Sequence, residues 1–339
     1  MPPPAAGPAA VDVTAAPDPV AAFLDAHERG HLVCLRTSGT TRQPRAVLRT
    51  TDSWFGSFPH VSRLADVGPG ARVWVPGPLA ATMNLFAVVH ARAVGAEVVG
   101  SASDATHAHV TPAVLVAALA EGTDLRGRTV VVAGDRLSRR VADRAAAAGA
   151  RVHHYYGAAE LSFVAWGTSA EDLRLFPGVE AQVRDGRLWV RSPYLSLGHD
   201  GADGPYEQDG DGFASVGDHG TLAGDVLTVL GRGTEAVVTG GATVLVADVE
   251  AVLRRATGQD VVVVGVPHAR LGAVVAAVLL DPADLPAART AARTGLAPAQ
   301  RPHRWLHAPT LPLTAGGKVD RSQLARLAAA GALPSAAHR

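Results

Sequence analysis

Cysteine occurs once in the 339 residues, at Cys34. An internal disulfide and a thiolate metal site are thereby excluded, and the apolar setting LVCL makes the thiol a buried structural one. Net charge is absent too: 31 basic residues balance 31 acidic ones. No run of like charge offers a surface to nucleic acid or an anionic membrane. No apolar run reaches the roughly 20 residues of a membrane span, and VVVVGV and GAVVAAVLL have the length of buried strands. The opening MPPPAAGPAAVDVTAAPDPV has neither the basic start nor the sustained apolar core of a secretory signal. These absences predict a cytoplasmic protein whose partners are small molecules, with no nucleic acid and no membrane span. What is present is apolar mass, 47% hydrophobic residues, enough for a sizeable core in two compact units.

Asp18 before Pro19 reads as a capped helix start running to about Glu28, and HLVCLR as the strand after it. From Arg45 to about Val152 the pattern alternates. Strands near AVLRT, RVWVP, AEVVG and TVVVA are separated by helices near 52–65, 83–94, 112–121 and 138–148, which predicts an α/β layered core. Between 179 and 230 the short strands VEAQVR, RLWVRS and TLAGDVLTVLG, joined by Gly- and Asp-rich turns, predict an antiparallel part. Past Gly231 a helix at 247–256, strands around 261–266 and 273–280 and Ala-rich helical segments predict a small α+β unit. The expected organisation is a flexible leader 1–18, an N-terminal α/β domain 19–231 with an additional antiparallel β part, a small mobile C-terminal α+β domain 232–327, and a flexible tail 328–339.

Chemistry gathers first after Arg36. Thr37, Ser38, Gly39, Thr40, Thr41, Arg42, Gln43, Pro44 and Arg45 bring hydroxyls, one flexible glycine and two cations to the end of a strand. Amides and hydroxyls there can bind polyphosphate oxygens while arginine offsets their charge. The Gly-Lys-Ser/Thr ending of a Walker loop is missing, and taken alone the segment reads equally well as a solvated turn. In Tyr155-Tyr156-Gly157-Ala158-Ala159-Glu160, aromatic faces can stack on a base and the carboxylate can hold a hard cation. Fourteen histidines, among them His107/His109 and His153/His154, show no zinc-ligand spacing. The acidic stretch Asp200–Asp211 lacks the glutamate of a calcium loop and reads as a solvated hairpin.

TSGTTRQPR resembles the phosphate-binding signature of the adenylate-forming superfamily, which includes acyl-CoA synthetases, luciferases and peptide-synthetase adenylation domains. YYGAAEL at 155–161, SVGDHG at 215–220, LGRGTEAVVTGG at 230–241 and LPLTAGGKVDR at 311–321 follow in family order. The resemblance thus covers nearly the whole chain. It implies ATP, Mg²⁺ and CoA as cofactors. Phosphates would be held by Thr37, Ser38, Gly39, Thr40, Thr41 and Arg45, and the adenine by Gly134 and Asp135 in AGDRL together with Tyr155, Tyr156, Gly157 and Ala158. The metal falls to Glu160 and Thr40, and the ribose to Asp218, whose carboxylate suits a diol, with Arg232 beside it. It further implies that Gly240 and Gly241 flank a thiol channel. Lys318, with Glu160 the catalytic pair, would offset the charge of carboxylate and α-phosphate.

Departures from that pattern are Arg42 where the family has glycine, Arg45 where it has lysine, Thr234 where it has an acidic hinge residue, and a missing N-terminal subdomain. Compact members resembling o-succinylbenzoate-CoA ligases share the last. The implied function is ATP-dependent activation of a carboxylic acid through acyl-AMP, then thioester formation with CoA. The acyl pocket is expected from Pro78–Arg92 and a helix after Glu160, where Met83, Leu85, Phe86, Val88, Phe163 and Trp166 favour a fatty or aromatic acid. His90 and Arg92 could pair with a second carboxylate, keeping o-succinylbenzoate or an aliphatic diacid open. Acyl loading of a separate carrier protein and nucleotide binding without turnover are the other readings.

Overall fold

The computed structural model describes residues 10–37, 45–200, 205–232, 236–314 and 317–336. The chain packs as two units. One takes the chain up to Leu137 with Val141–Val216 and Thr221–Thr228; the other takes Ser138–Arg140, Gly217–Gly220 and the chain from Val229.

The first unit is built on parallel strands in the order Glu97–Val99, Arg72–Trp74, His107–Val110, Thr129–Val132 and Arg151–Ala158. Runs such as TVVV are buried throughout because helices cover both faces. On one face Ala108, Val110, Val130, Val132 and Val152 pack with Leu115 of the Pro112–Ala120 helix and with Ala142 and Ala145 of the Arg139–Ala147 helix. Pro112 starts its helix without losing a hydrogen bond, and Thr111 caps it by accepting from the Val114 N–H. The helices Phe58–Ala65 and Thr82–Ala93 line the opposite face. Beyond Ala158 the sheet continues antiparallel through Ser162–Gly167, Arg174–Leu175 and the strand starting at Val226. A smaller sheet orders Ala10–Asp12, Leu32–Thr37, Arg45–Thr50 and Gly198–His199.

Four expectations change. The strand His107–Val110 is hidden in the sequence by its alternating histidines, yet all four residues are buried. The predicted 52–65 helix divides into Asp52–Phe55 and Phe58–Ala65 around Gly56 and Ser57. Residues 10–18 of the expected leader are structured: Ala10–Asp12 pairs in parallel with Leu32–Cys34 and Val13 is fully buried. The expected tail is packed as far as it is described, with Ala328 and Ala336 in the core and Ser335 bridged to Leu306. In both terminal cases small apolar residues that read as low complexity fill core positions.

In the second unit the antiparallel strands run Ala242–Leu245, Ala236–Thr239, Gly272–Leu279, Val261–His268, and Arg304–His307 lies parallel to Gly272–Leu279. The Val246–Thr257 and Leu285–Gly295 helices cover one face and Arg321–Ala329 the other. Glu250 is buried in this core, where Arg254 Nη2 at 2.6 Å, Arg321 Nη1 at 2.5 Å and the Val263 N–H at 2.8 Å all donate to its carboxylate. Burial alone would raise this carboxyl, but the two guanidiniums and the hydrogen bonds outweigh it and hold it below the ordinary range. Arg321→Ala would leave Glu250 with Arg254 as its charged partner, and losing the hydrogen bonds of the other guanidinium is expected to destabilise this unit by about 2 kcal/mol, read from denaturant unfolding. Among the described residues no helix is long and apolar enough to cross a membrane.

Candidate active site

Two of the sequence motifs meet at the carboxyl edge of the parallel sheet. Thr129–Val132 ends in Ala133-Gly134-Asp135, and its neighbour Arg151–Ala158 ends in the turn that carries Glu160. Open α/β sheets bind ligands at this edge because loops there are free of the helical crossovers' packing. Gly134 has φ 87°, and a Cβ added to it would lie 3.3 Å from Met83 Sδ, so the turn is both left-handed and crowded. Asp135 Oδ1 accepts from the Arg136 N–H at 2.8 Å, and Arg136 pairs with Glu171.

Gly157 is required by its neighbour: an added Cβ would stand 2.1 Å from the Ser162 carbonyl oxygen. That close approach closes a hairpin, so the helix expected after Glu160 is instead the strand Ser162–Gly167. Phe163, Val164 and Trp166 favour that choice, since aromatic and β-branched residues pack well on a pleated surface. Strand alternation also separates the two tyrosines. Tyr155, expected at the nucleotide, turns into the core, where its hydroxyl is 3.3 Å from His109 Nε2 and its ring stacks on Trp166. Burial pushes its hydroxyl far up. Tyr156 takes the opposite face of the strand.

Glu160 is 5% exposed. Its Oε1 lies 3.0 Å from His199 Nε2, and its carbonyl accepts from the Ser196 N–H at 2.8 Å. His199 pairs with Val47 in the strand Arg45–Thr50, so the strand that leaves the phosphate motif is tied to the Glu160 turn. Thr37 and Arg45 end and begin strands paired to each other. Ser38, Gly39, Thr40, Thr41, Arg42, Gln43 and Pro44 lie outside the described residues. Arg49, in the same strand, was not singled out by sequence reasoning; it is fully buried and donates from Nη2 to the Tyr194 carbonyl at 2.9 Å.

Beneath the site a narrow cavity opens between the sheet and the helices Phe58–Ala65 and Thr82–Ala93. Phe86, His90, His109, Tyr155, Phe163 and Trp166 are among its walls. Burial drives His90 down to about 4 and His109 to about 3, keeping both rings neutral. His90 Nε2 is 2.9 Å from Ser62 Oγ. Arg92 is exposed, two residues on and around the helix from His90, so the expected joint grip of His90 and Arg92 on a second carboxylate is not formed. Leu85 and Val88 are buried in the same helix but are not cavity walls. Among the described residues no group of three or more His, Cys, Asp or Glu side chains could hold a metal ion.

The remaining motif residues belong to the second unit. Asp218 is buried, 8% exposed, at the start of the strand Asp218–Ala223, and Arg232 ends the strand Val226–Arg232. Gly240 and Gly241, at φ 54° and 85°, form the two-residue turn of the hairpin Ala236–Leu245. Lys318 is exposed on a turn, its N–H reaching Thr314 Oγ1 at 3.3 Å and its carbonyl accepting from the Thr314 N–H at 2.8 Å.

Known proteins resemble this chain over most of its length. The chain is 26% identical over 325 residues to an uncharacterized acyl-CoA ligase, YhfT, of Bacillus subtilis, covering 85% of this chain and 67% of that protein. It is 36% identical over 207 residues to a probable 2-succinylbenzoate-CoA ligase of Mycobacterium tuberculosis, covering 58% of this chain and 53% of the relative. The chain thus spans little more than half of that relative's length. A point variant of Escherichia coli MenE with bound OSB-AMS superposes with a TM-score of 0.71 at 21% identity, over 88% of this chain and 69% of MenE. ATP-bound MatB from Rhodopseudomonas palustris gives 0.70 at 21%, over 88% and 68%. These solved structures share the mixed α/β fold. The family model for AMP-binding enzymes matches residues 26–198, a span that takes in the phosphate motif, the AGDRL turn and Glu160, and the chain belongs to that family.

Proposed function

We propose that this protein activates a carboxylic acid with ATP, forming acyl-AMP and pyrophosphate, and passes the acyl group to the thiol of CoA. One observation carries the reading: His199 joins the strand leaving the phosphate motif to the turn bearing Glu160, so two motifs more than 100 residues apart serve one place. The relatives named acyl-CoA ligase support it.

In the first step a carboxylate oxygen attacks the α-phosphorus, the bond to the β-phosphate oxygen breaks, and pyrophosphate leaves. In the second the CoA sulfur attacks the acyl carbonyl, the carbon–oxygen bond to AMP breaks, and the thiol proton is released to solvent. Attacking and attacked groups are both anionic in the first step, and Lys318 is assigned the offsetting charge. Asp218 is suited to accept from the ribose hydroxyls, and Tyr156 to lie against the base. A carboxylate oxygen donor in a nearly dry setting fits the preference of Mg²⁺ for hard ligands, so Glu160, with Thr40, would hold it. When bound, Mg²⁺ shields the charge that builds on the leaving pyrophosphate.

The cavity beneath the site is assigned to the acyl group. Its aromatic walls and neutral histidines suit an uncharged aromatic or fatty tail, and an interior without a cation disfavours a second carboxylate. Acid-dependent exchange of labelled pyrophosphate into ATP, run over a panel of acids, is expected to be at least tenfold faster with aromatic or medium-chain acids than with dicarboxylic acids of equal length. Preference for o-succinylbenzoate or another diacid would overturn the substrate assignment. Absence of exchange with every acid would overturn adenylation and leave nucleotide binding alone. Product formation with CoA, compared with an added phosphopantetheinyl carrier protein, decides the acceptor.

A further inference from the structure

We propose that His199 is a positioning residue for the Glu160 carboxylate, and through it for the divalent cation that accompanies the nucleotide. The inference rests on the adenylation reading above. A metal-holding carboxylate on a turn has rotational freedom that must be removed before the cation arrives, and partners of ligating carboxylates commonly perform that task. Glu160 and His199 meet at 3.0 Å with side chains only 7% and 6% exposed, so water competes little for either group. With its Nε2–H directed at Oε1, His199 sets the plane of the carboxylate.

A buried cation on the neighbouring strand bears electrostatically on this carboxylate. Arg49 is buried without residual exposure, and among the described residues its Nε and Nη1 have no hydrogen-bond partner. Burial lowers this guanidinium to about 10, with Glu160 and then Tyr206 pulling the other way. It therefore keeps its charge, and an interior cation with two unbonded nitrogens persists only where a counter-charge is near. Glu160 is that counter-charge. Arg49 and Glu160 attract each other electrostatically, and His199 aims the carboxylate.

The placement follows from the smaller sheet. Gly198 and His199 pair with Leu48 and Val47, and Arg49 is the next residue along the same strand, which begins at Arg45 where the phosphate motif ends. The strand that anchors the motif thus carries the counter-charge for Glu160, and its neighbour carries the orienting donor. Neither residue belongs to a signature in the sequence. Arg49 stands in AVLRT and His199 follows a glycine before an acidic loop, so only the pairing of two strands some 150 residues apart reveals them.

The test compares the parent protein with His199→Gln and His199→Asn. Glutamine places an N–H donor near the position of Nε2, whereas asparagine places one near Nδ1, too short to reach Glu160; both keep the site polar and small. Mn²⁺ binding in the presence of α,β-methylene-ATP is read by electron paramagnetic resonance, which needs neither acid nor turnover, and the Mg²⁺ requirement of acid-dependent exchange is read alongside. His199→Asn is expected to weaken Mn²⁺ binding about 10- to 100-fold and to raise the Mg²⁺ requirement in parallel, with His199→Gln within about threefold of the parent. Equal Mn²⁺ affinity in the two folded variants would overturn the proposal while leaving adenylation standing. A parent that binds Mn²⁺ with the analogue yet exchanges with no acid would overturn adenylation while the Gln/Asn contrast still decides His199. A parent that binds no Mn²⁺ with the analogue overturns both.

Discussion

Lys318→Ala is expected to lower acid-dependent pyrophosphate exchange by about 10²- to 10³-fold, the loss typical of removing one preorganised charge stabiliser. The reason is electrostatic. A carboxylate approaching an α-phosphate meets like charge, and the repulsion grows as water leaves the site. An ammonium on a four-carbon stem can follow charge as it shifts from carboxylate to leaving group. Lys318 is exposed, and the hydrogen bonds of its turn use its backbone rather than its ammonium. Removing that side chain is therefore expected to leave the unfolding free energy within about 0.5 kcal/mol of the parent, so a loss of exchange reads as chemistry and not as misfolding. Supplying a synthetic acyl-adenylate with CoA bypasses the step that needs the charge, and thioester formation from it is expected to survive the substitution. Equal exchange by parent and variant would sink the proposed mechanism.

A second large effect is expected on acidification. Burial pushes His90 and His154 down to about 4 and His109 to about 3 in the folded chain. His107 and His153 are lowered as well, mainly by burial, with Asp66 opposing and Arg151 assisting at His107. Once unfolded, each ring returns to the ordinary value near 6.5. Above that pH neither state binds the protons and nothing is lost. Below it the unfolded chain takes them up first, so stability falls as pH drops from about 6.5 toward 4. At pH 5 each strongly shifted ring costs on the order of 2 kcal/mol, and three together approach the whole stability of an ordinary domain. Thermal unfolding followed by tryptophan fluorescence is expected to show Tm of the first unit falling steeply between pH 6.5 and 5. That signal reports chiefly on this unit, which holds Trp54, Trp74, Trp166 and Trp189. The double substitution His90→Leu/His109→Leu is expected to flatten the slope; an unchanged slope would place the proton uptake elsewhere.

The neutral rings also connect stability to recognition. His90 and His109 stay uncharged because they are buried, and neutral walls are what the acyl group proposed above would meet. An acyl group with a second charge would have to bring its own counter-ion or raise a histidine pKa against that burial. The exposed position of Arg92, close in sequence to His90 but facing solvent, removes the cation that a diacid would need.

Local chemistry makes much of this protein legible in its sequence. Asp18 and Pro19 start the first helix, the uninterrupted TVVV marks a strand covered on both faces, and the order of five motifs points to adenylate formation, because each of these signals lies within a few consecutive residues. Other features depend on partners distant in the chain. His107–Val110 reads as polar alternation until helices close over it, and the segment after Glu160 becomes a strand because Gly157 admits the Ser162 carbonyl where any side chain would clash. Tyr155 and Tyr156 are indistinguishable as letters; the pleat sends one to the cavity and the other to the opposite face of the strand. Arg49 and His199 acquire meaning only when two strands pair, bringing an imidazole to a buried carboxylate and a buried guanidinium onto the adjoining strand. Short-range rules of capping, propensity and pattern thus determined the elements and the chemistry on offer, while the desolvation and close contacts created by tertiary packing decided which side chains are charged, which are aimed, and which merely fill the core.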